Sequence, residues 1–154
     1  MQVTSHMRAM KSMFPKRLLL KEEINRRITA APEAFIEEEY QRYFDELEAL
    51  SRFLTVGLHT RCLVMLSGPS SSGKTTTALL LRDYLRDLGV DAHTVSLDNF
   101  YRGRGQAPRL EDGSYDYEAV EALDLPRLQL CMQELIRDGG TRLPVFDFTR
   151  GAPA

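Results

Sequence analysis

Apolar residues recur along this chain with two different periods, and the change between them divides it. Leu20, Ile24 and Ile28 repeat every four residues, which predicts a short helix over 20–28. Ala30-Ala31-Pro32 interrupts that pattern, and Pro32 is well placed to open the next helix, where its missing N–H costs nothing. Ile36, Tyr40, Tyr43, Leu47, Leu50 and Leu54 then recur at three or four residues and predict a long amphipathic helix. Its early turns carry Glu37, Glu38 and Glu39, at the positive end of the helix dipole. The aromatic members of the stripe are taken as packing residues. Residues 1–17 show no period and are expected to be mobile.

Past Gly57 the helical period gives way to short apolar runs. Arg61-Cys62-Leu63-Val64-Met65-Leu66 predicts a buried strand of a parallel sheet, ended by a Ser-Gly-Pro-Ser turn signal. A helix is expected from Lys74 to Leu88, with Leu80, Leu81, Tyr84, Leu85 and Leu88 facing the core and Gly89 as its stop. Ala92 to Leu97 predicts a second strand, which closes a βαβ unit. Residues 102–115 have loop composition, and residues 118–123 suit one or two helical turns. Asp124 then reads as an N-cap, with Pro126 in the first turn, Leu128, Cys131, Leu135 and Ile136 on the apolar face, and Gly139-Gly140 as the stop. Leu143 to Phe148 is extended but not a central strand, because Pro144 cannot donate to a ladder. The expected architecture is a helical extension over residues 1–57, followed by an α/β domain over 58–154.

Composition narrows the class without naming a chemistry. The 154 residues, 43% apolar and 27% charged, suit a globular protein with one ordinary core. Twenty basic against 22 acidic residues give no field favouring nucleic acid or an anionic membrane. Any affinity for phosphate must therefore come from a local arrangement. No run approaches the roughly 20 apolar residues of a membrane span, and Leu18-Leu19-Leu20 is too short for a signal-peptide core. A cytoplasmic protein is expected. Cys62 and Cys131 lack partners at metal-ligand spacing and are expected as two buried thiols.

That local arrangement is Gly68-Pro69-Ser70-Ser71-Ser72-Gly73-Lys74-Thr75, a full match to G-x-x-x-x-G-K-S/T between a predicted strand and a predicted helix. Average residue usage yields such a match by chance in roughly half a percent of chains this long, so a P-loop is the better explanation. Its glycines let the backbone approach phosphate oxygens, and consecutive N–H groups form an anion nest. Lys74 supplies a mobile charge for the β- and γ-phosphates of ATP, and Thr75 a hydroxyl for Mg²⁺. At the end of the second predicted strand stands Asp98, where an open α/β sheet places its ligands. Its carboxylate can take a proton from an attacking hydroxyl or hold a water of the Mg²⁺ shell, and the plain alternative is a strand-terminal cap. Arg102, Arg104 and Arg109 can face an anionic acceptor or simply be solvated. Asp116 suits either a site or a turn. His93 is expected as a packed or edge histidine, and His6 and His59 show no partner.

Taken in order, four segments resemble the phosphoribulokinase/uridine kinase family, and most closely its bacterial uridine kinase-like nucleoside kinases. They are Leu66 to Thr76, Ser96-Leu97-Asp98-Asn99-Phe100-Tyr101-Arg102, Tyr115 to Glu118 with Glu121 to Leu125, and Leu143 to Phe148. The resemblance covers residues 61–154. It implies a P-loop NTPase-type parallel sheet flanked by helices, ATP and Mg²⁺ as cofactors, and a small-molecule acceptor, most closely a nucleoside. It further implies nucleotide contacts from Gly68, Ser70, Ser71, Ser72, Gly73, Lys74, Thr75 and Thr76, and Mg²⁺ contacts from Thr75 and Asp98. Asp98 aligns with the base toward the sugar 5′-hydroxyl, and Tyr101 falls in the nucleoside-side loop. Asp116 aligns with the acid that holds ribose hydroxyls, and Phe146 with an aromatic that packs on the base. Two departures stand out. Thr149-Arg150-Gly151 replaces a histidine of uridine kinases proper, and the further strands, third-strand acid and arginine-bearing lid have no counterpart. The expectation is a kinase domain truncated after its first half, with homo-oligomerisation left open.

Overall fold

The computed structural model describes residues 18–57, 61–69, 71–103 and 105–154. The expectations for residues 1–17, His59, Ser70 and Arg104 lie outside the described residues. The chain forms two compact units, one from Met1–His59 with Leu66–His93 and the other from Thr60–Met65 with Thr94–Ala154.

In the first unit, α1 (Lys21–Ala30) and α2 (Pro32–Gly57) form where the fourfold spacing predicts them, with Pro32 opening the second helix. A charged clasp joins them. Arg27 pairs with Glu38 and lies near Glu39, and its guanidinium stacks over the Phe35 ring at 4.7 Å. Two of the three early glutamates of α2 thus meet an arginine of α1 as well as the helix dipole. The next helix, α3 (Lys74–Asp87), ends in a Schellman turn. Gly89 N–H donates to the Arg86 carbonyl and Val90 N–H to that of Leu85, both at 2.9 Å.

Leu47 of α2 and Leu81 and Leu85 of α3 are the buried core of this unit, surrounded by Tyr43, Leu50, Leu54, Leu80, Tyr84, Val90 and Ala92. The stripe of α2 is only partly used, since Ile36 and Tyr40 remain exposed. Truncating Leu81 to alanine should therefore cost about 2–4 kcal/mol, as lost apolar burial plus a cavity. Urea denaturation checks this, and a cost below about 0.5 kcal/mol would show that the two helices do not share a core.

The second unit has its own buried set: Phe100, Ala107, Ala122, Cys131 and Phe146. Short 3₁₀ turns occupy Leu97–Phe100 and Val120–Ala122. Helix α4 (Leu125–Asp138) is capped as expected, with the Asp124 carboxylate accepting from Arg127 N–H at 3.1 Å and Gly139 ending it. Phe146–Asp147 (β1) pairs antiparallel with Ala152–Pro153 (β2), in register Phe146 to Pro153. The intervening turn is tied by Asp147, whose Oδ1 accepts from the Thr149 and Arg150 N–H groups.

Several expectations are corrected. Residues 61–66 and 92–97 join no ladder, so the described residues contain no parallel sheet, only the β1–β2 pair. A parallel strand is stable with paired neighbours, and neither segment has one among the described residues. Leu63, Val64 and Leu66 are accordingly about half exposed and Met65 is 92% exposed. Cys62 is exposed for the same reason, whereas Cys131 is buried as expected. His93 is neither packed nor in a strand. It is exposed, with Nε2 2.9 Å from Asp91 Oδ1. What stands is a mixed helical structure with a small sheet, compatible with an incomplete α/β fold.

Candidate functional site

The loop ahead of α3 takes its shape from two left-handed residues set one apart, Ser71 (φ 58°) and Gly73 (φ 82°). Such a conformation is strained for most side chains, and Gly73 adopts it without cost. Ser72 N–H donates to the Pro69 carbonyl at 3.3 Å, and Lys74 Nζ donates to the same oxygen at 2.7 Å. The lysine therefore folds back over its own loop. A Cβ at Gly68 would lie 2.9 Å from Ser72 Oγ and 3.6 Å from Lys74 Cγ, so the absence of a side chain there keeps the concavity open. Thr75 and Thr76 are exposed in the first turn of α3, beside N–H groups that no helical carbonyl satisfies. A left-handed backbone, the N–H groups of a helix start and a lysine ammonium fit a triphosphate. Ser70, also expected to bind nucleotide, lies outside the described residues.

In the second unit, Asp98 is exposed in the 3₁₀ turn, and Ser96 Oγ accepts its N–H at 3.3 Å. Its charge acts on the nearby Tyr101 phenol. Burial first, then the charge of Asp98, pushes the Tyr101 phenol above its ordinary pKa. The Tyr101 ring lies 5.5 Å edge-on from that of Phe146, centroid to centroid. The structure thus brings together three predicted residues, Asp98, Tyr101 and Phe146. Asn99 adds a link, its Oδ1 accepting from Phe146 N–H at 3.3 Å.

Asp116 and Arg109 spend part of their bonding capacity locally. Asp116 Oδ1 accepts from the N–H groups of Glu118 (3.0 Å) and Ala119 (3.2 Å). Arg109 donates to the Gly113 carbonyl and to Tyr115 Oη, each at 2.9 Å, and its guanidinium lies 4.5 Å from the Tyr115 ring centroid. Arg102 is tied down too, donating through Nε to the Leu123 carbonyl at 2.9 Å.

Three aromatic residues that sequence reasoning did not single out extend this arrangement. Tyr117 lies 5.2 Å from Tyr101 and 6.2 Å from Tyr115, and Phe148 lies 5.1 Å from Phe146. The available signal was their spacing. Tyr115 and Tyr117, like Phe146 and Phe148, stand two apart, which in extended backbone puts side chains on one side. No group of three or more His, Cys, Asp or Glu side chains able to hold a metal occurs among the described residues. No described helix is long and apolar enough to cross a membrane.

Comparison with known proteins finds partial similarity to uridine kinases. The uridine kinase of Lactobacillus johnsonii is 28% identical over 89 residues, 56% of this chain and 41% of that protein. That of Schizosaccharomyces pombe is 33% identical over 87 residues, 54% of this chain and 18% of the yeast protein. That of Lactobacillus helveticus is 26% identical over 92 residues, 57% and 41% of the respective chains. The chain thus spans less than half the length of the curated relatives it matches. No family model and no solved structure matches it. The similarity supports a uridine kinase-like relationship.

Proposed function

We propose that this chain is the nucleotide-binding part of an ATP-dependent kinase that phosphorylates a small-molecule hydroxyl, the 5′-hydroxyl of a nucleoside such as uridine. The observation that carries the reading is the loop 68–75, where a full G-x-x-x-x-G-K-S/T match coincides with two left-handed residues and a helix start at Lys74. In this reading residues 68–76 hold the phosphates through backbone N–H groups, and Lys74 exchanges the Pro69 carbonyl for phosphate oxygens. Mg²⁺, when bound, would supply charge neutralisation at the phosphates, with the Thr75 hydroxyl as the loop's residue to hold it.

Asp98 accepts the proton of the acceptor hydroxyl. Tyr101 and Phe146 form the wall against which the base packs, and Asp116 uses Oδ2 for the ribose hydroxyls. Arg109 closes the rim of the acceptor loop. Residues 1–57 are assigned as a helical extension and 58–154 as the N-terminal portion of the kinase domain. The protein is assigned to the cytoplasm, with no nucleic-acid or membrane partner and homo-oligomerisation left open.

A sugar-phosphate acceptor is the weaker alternative, because Arg102 and Arg109 already donate to backbone and tyrosine. A second reading is nucleotide binding without turnover. An acceptor panel with γ-labelled ATP separates all three. Label in a nucleoside 5′-phosphate is the expected product. Transfer to ribulose 5-phosphate alone would move the assignment to sugar phosphates, and binding without any transfer would favour the second reading.

A further inference from the structure

The reading above gives residues 18–57 no task, yet one polar contact ties them to the helix behind the loop. Tyr43 Oη of α2 and Thr77 Oγ1 of α3 lie 2.8 Å apart, in a partly buried setting. Thr77 stands in the first turn of α3. Its N–H donates at 2.9 Å to the carbonyl of Gly73, the left-handed residue that closes the loop. Hydrogen bonds therefore run without a gap from Tyr43 through Thr77 to Gly73. The Tyr43 ring is itself held, edge-on to Phe44 at 5.4 Å and against the Leu47–Leu81–Leu85 core. Leu81 and Leu85 lie one and two turns further along α3, roughly 6 and 12 Å from Thr77. Packing at those leucines fixes the helix axis. The tyrosine acts at the end where the loop begins.

We infer that Tyr43 is a positioning residue for the loop 68–75: by holding Thr77 it fixes the first turn of α3 in the shape that receives a triphosphate. The long helix before Gly57 then serves nucleotide binding without touching nucleotide. The inference rests on the proposed phosphate role of the loop, and the test below separates the two.

Tyr43→Phe keeps the ring and removes one hydroxyl, so the core stays filled. Its affinity for ATP·Mg, measured by calorimetry where melting curves show full folding, should fall about fivefold, the worth of one ordinary hydrogen bond. Thr77→Val should match it, the double variant should be no weaker than either single one, and Thr77→Ser should bind like the parent. Amide exchange should quicken over residues 71–77 in Tyr43→Phe and stay unchanged at Leu81 and Leu85. If Tyr43→Phe binds ATP like the parent while Lys74→Ala does not, the positioning role is wrong and the phosphate loop stands. If Lys74→Ala also binds like the parent, or if none of the proteins binds, the phosphate reading falls and this inference with it.

Discussion

Replacing Lys74 by alanine is expected to weaken ATP binding about a hundredfold or more, while the protein stays folded. Lys74 is partly exposed, and its ammonium donates to the Pro69 carbonyl, a neutral acceptor within its own loop. Exchanging that acceptor for phosphate oxygens converts a neutral-acceptor bond into a charge-paired one. Hydrogen bonds to charged groups contribute about 1.5–3 kcal/mol each, and a lysine serving two phosphates can make more than one. None of that strength is available to alanine. Little stability should be lost, since the core of this unit is Leu47, Leu81 and Leu85 and does not include Lys74. Arginine at this position should restore binding only partly, because a planar fork does not replace a compact ammonium on a flexible stem. Calorimetric titration with ATP·Mg checks the effect, and an affinity within twofold of the parent would remove the lysine from the site.

Asp98→Asn separates binding from chemistry. Phosphoryl transfer to the nucleoside should fall about 10²–10⁴-fold, the range for losing a general base, with ATP affinity nearly unchanged. An amide oxygen accepts a hydrogen bond but cannot carry away the proton of the attacking hydroxyl. The local fold should tolerate the exchange. The 3₁₀ turn is held by Ser96 Oγ and by the Asp124 N–H bond to the Phe100 carbonyl at 2.7 Å, and neither uses the Asp98 carboxylate. Single-turnover rates with saturating ATP report the chemical step alone. Undiminished transfer would make Asp98 the plain cap that its position also allows.

Helices were readable from the sequence because their signals are local. The spacing of Leu20, Ile24 and Ile28, the proline at 32, the Asp124 cap and the glycines at 89 and 139 each act within a turn or two of their own position. Strands were not readable in the same way. Residues 61–66 have the composition of a buried strand, but a strand exists only through its neighbours, and no neighbour pairs with it among the described residues. Burial failed with it. Cys62 was expected inside on the strength of an apolar run that has no cover.

The candidate site divides along similar lines. The loop 68–75 was legible because all its parts lie within eight residues. The ring contacts from Tyr115 through Tyr117 and Tyr101 to Phe146 and Phe148 span segments more than 30 residues apart. No periodicity records such a contact. The hydrogen bond between Tyr43 and Thr77 was invisible for the same reason, since each residue alone suits an ordinary helix face.

The most direct test of the phosphate cradle is to titrate ¹⁵N-labelled protein with ATP·Mg and follow its backbone amides. The N–H resonances of Ser71, Ser72, Gly73, Lys74 and Thr75 should move together and saturate, with adenosine leaving them in place because it carries no phosphate. Amides of 68–75 that stay still while others shift, or that respond equally to adenosine, would contradict a triphosphate site in this loop.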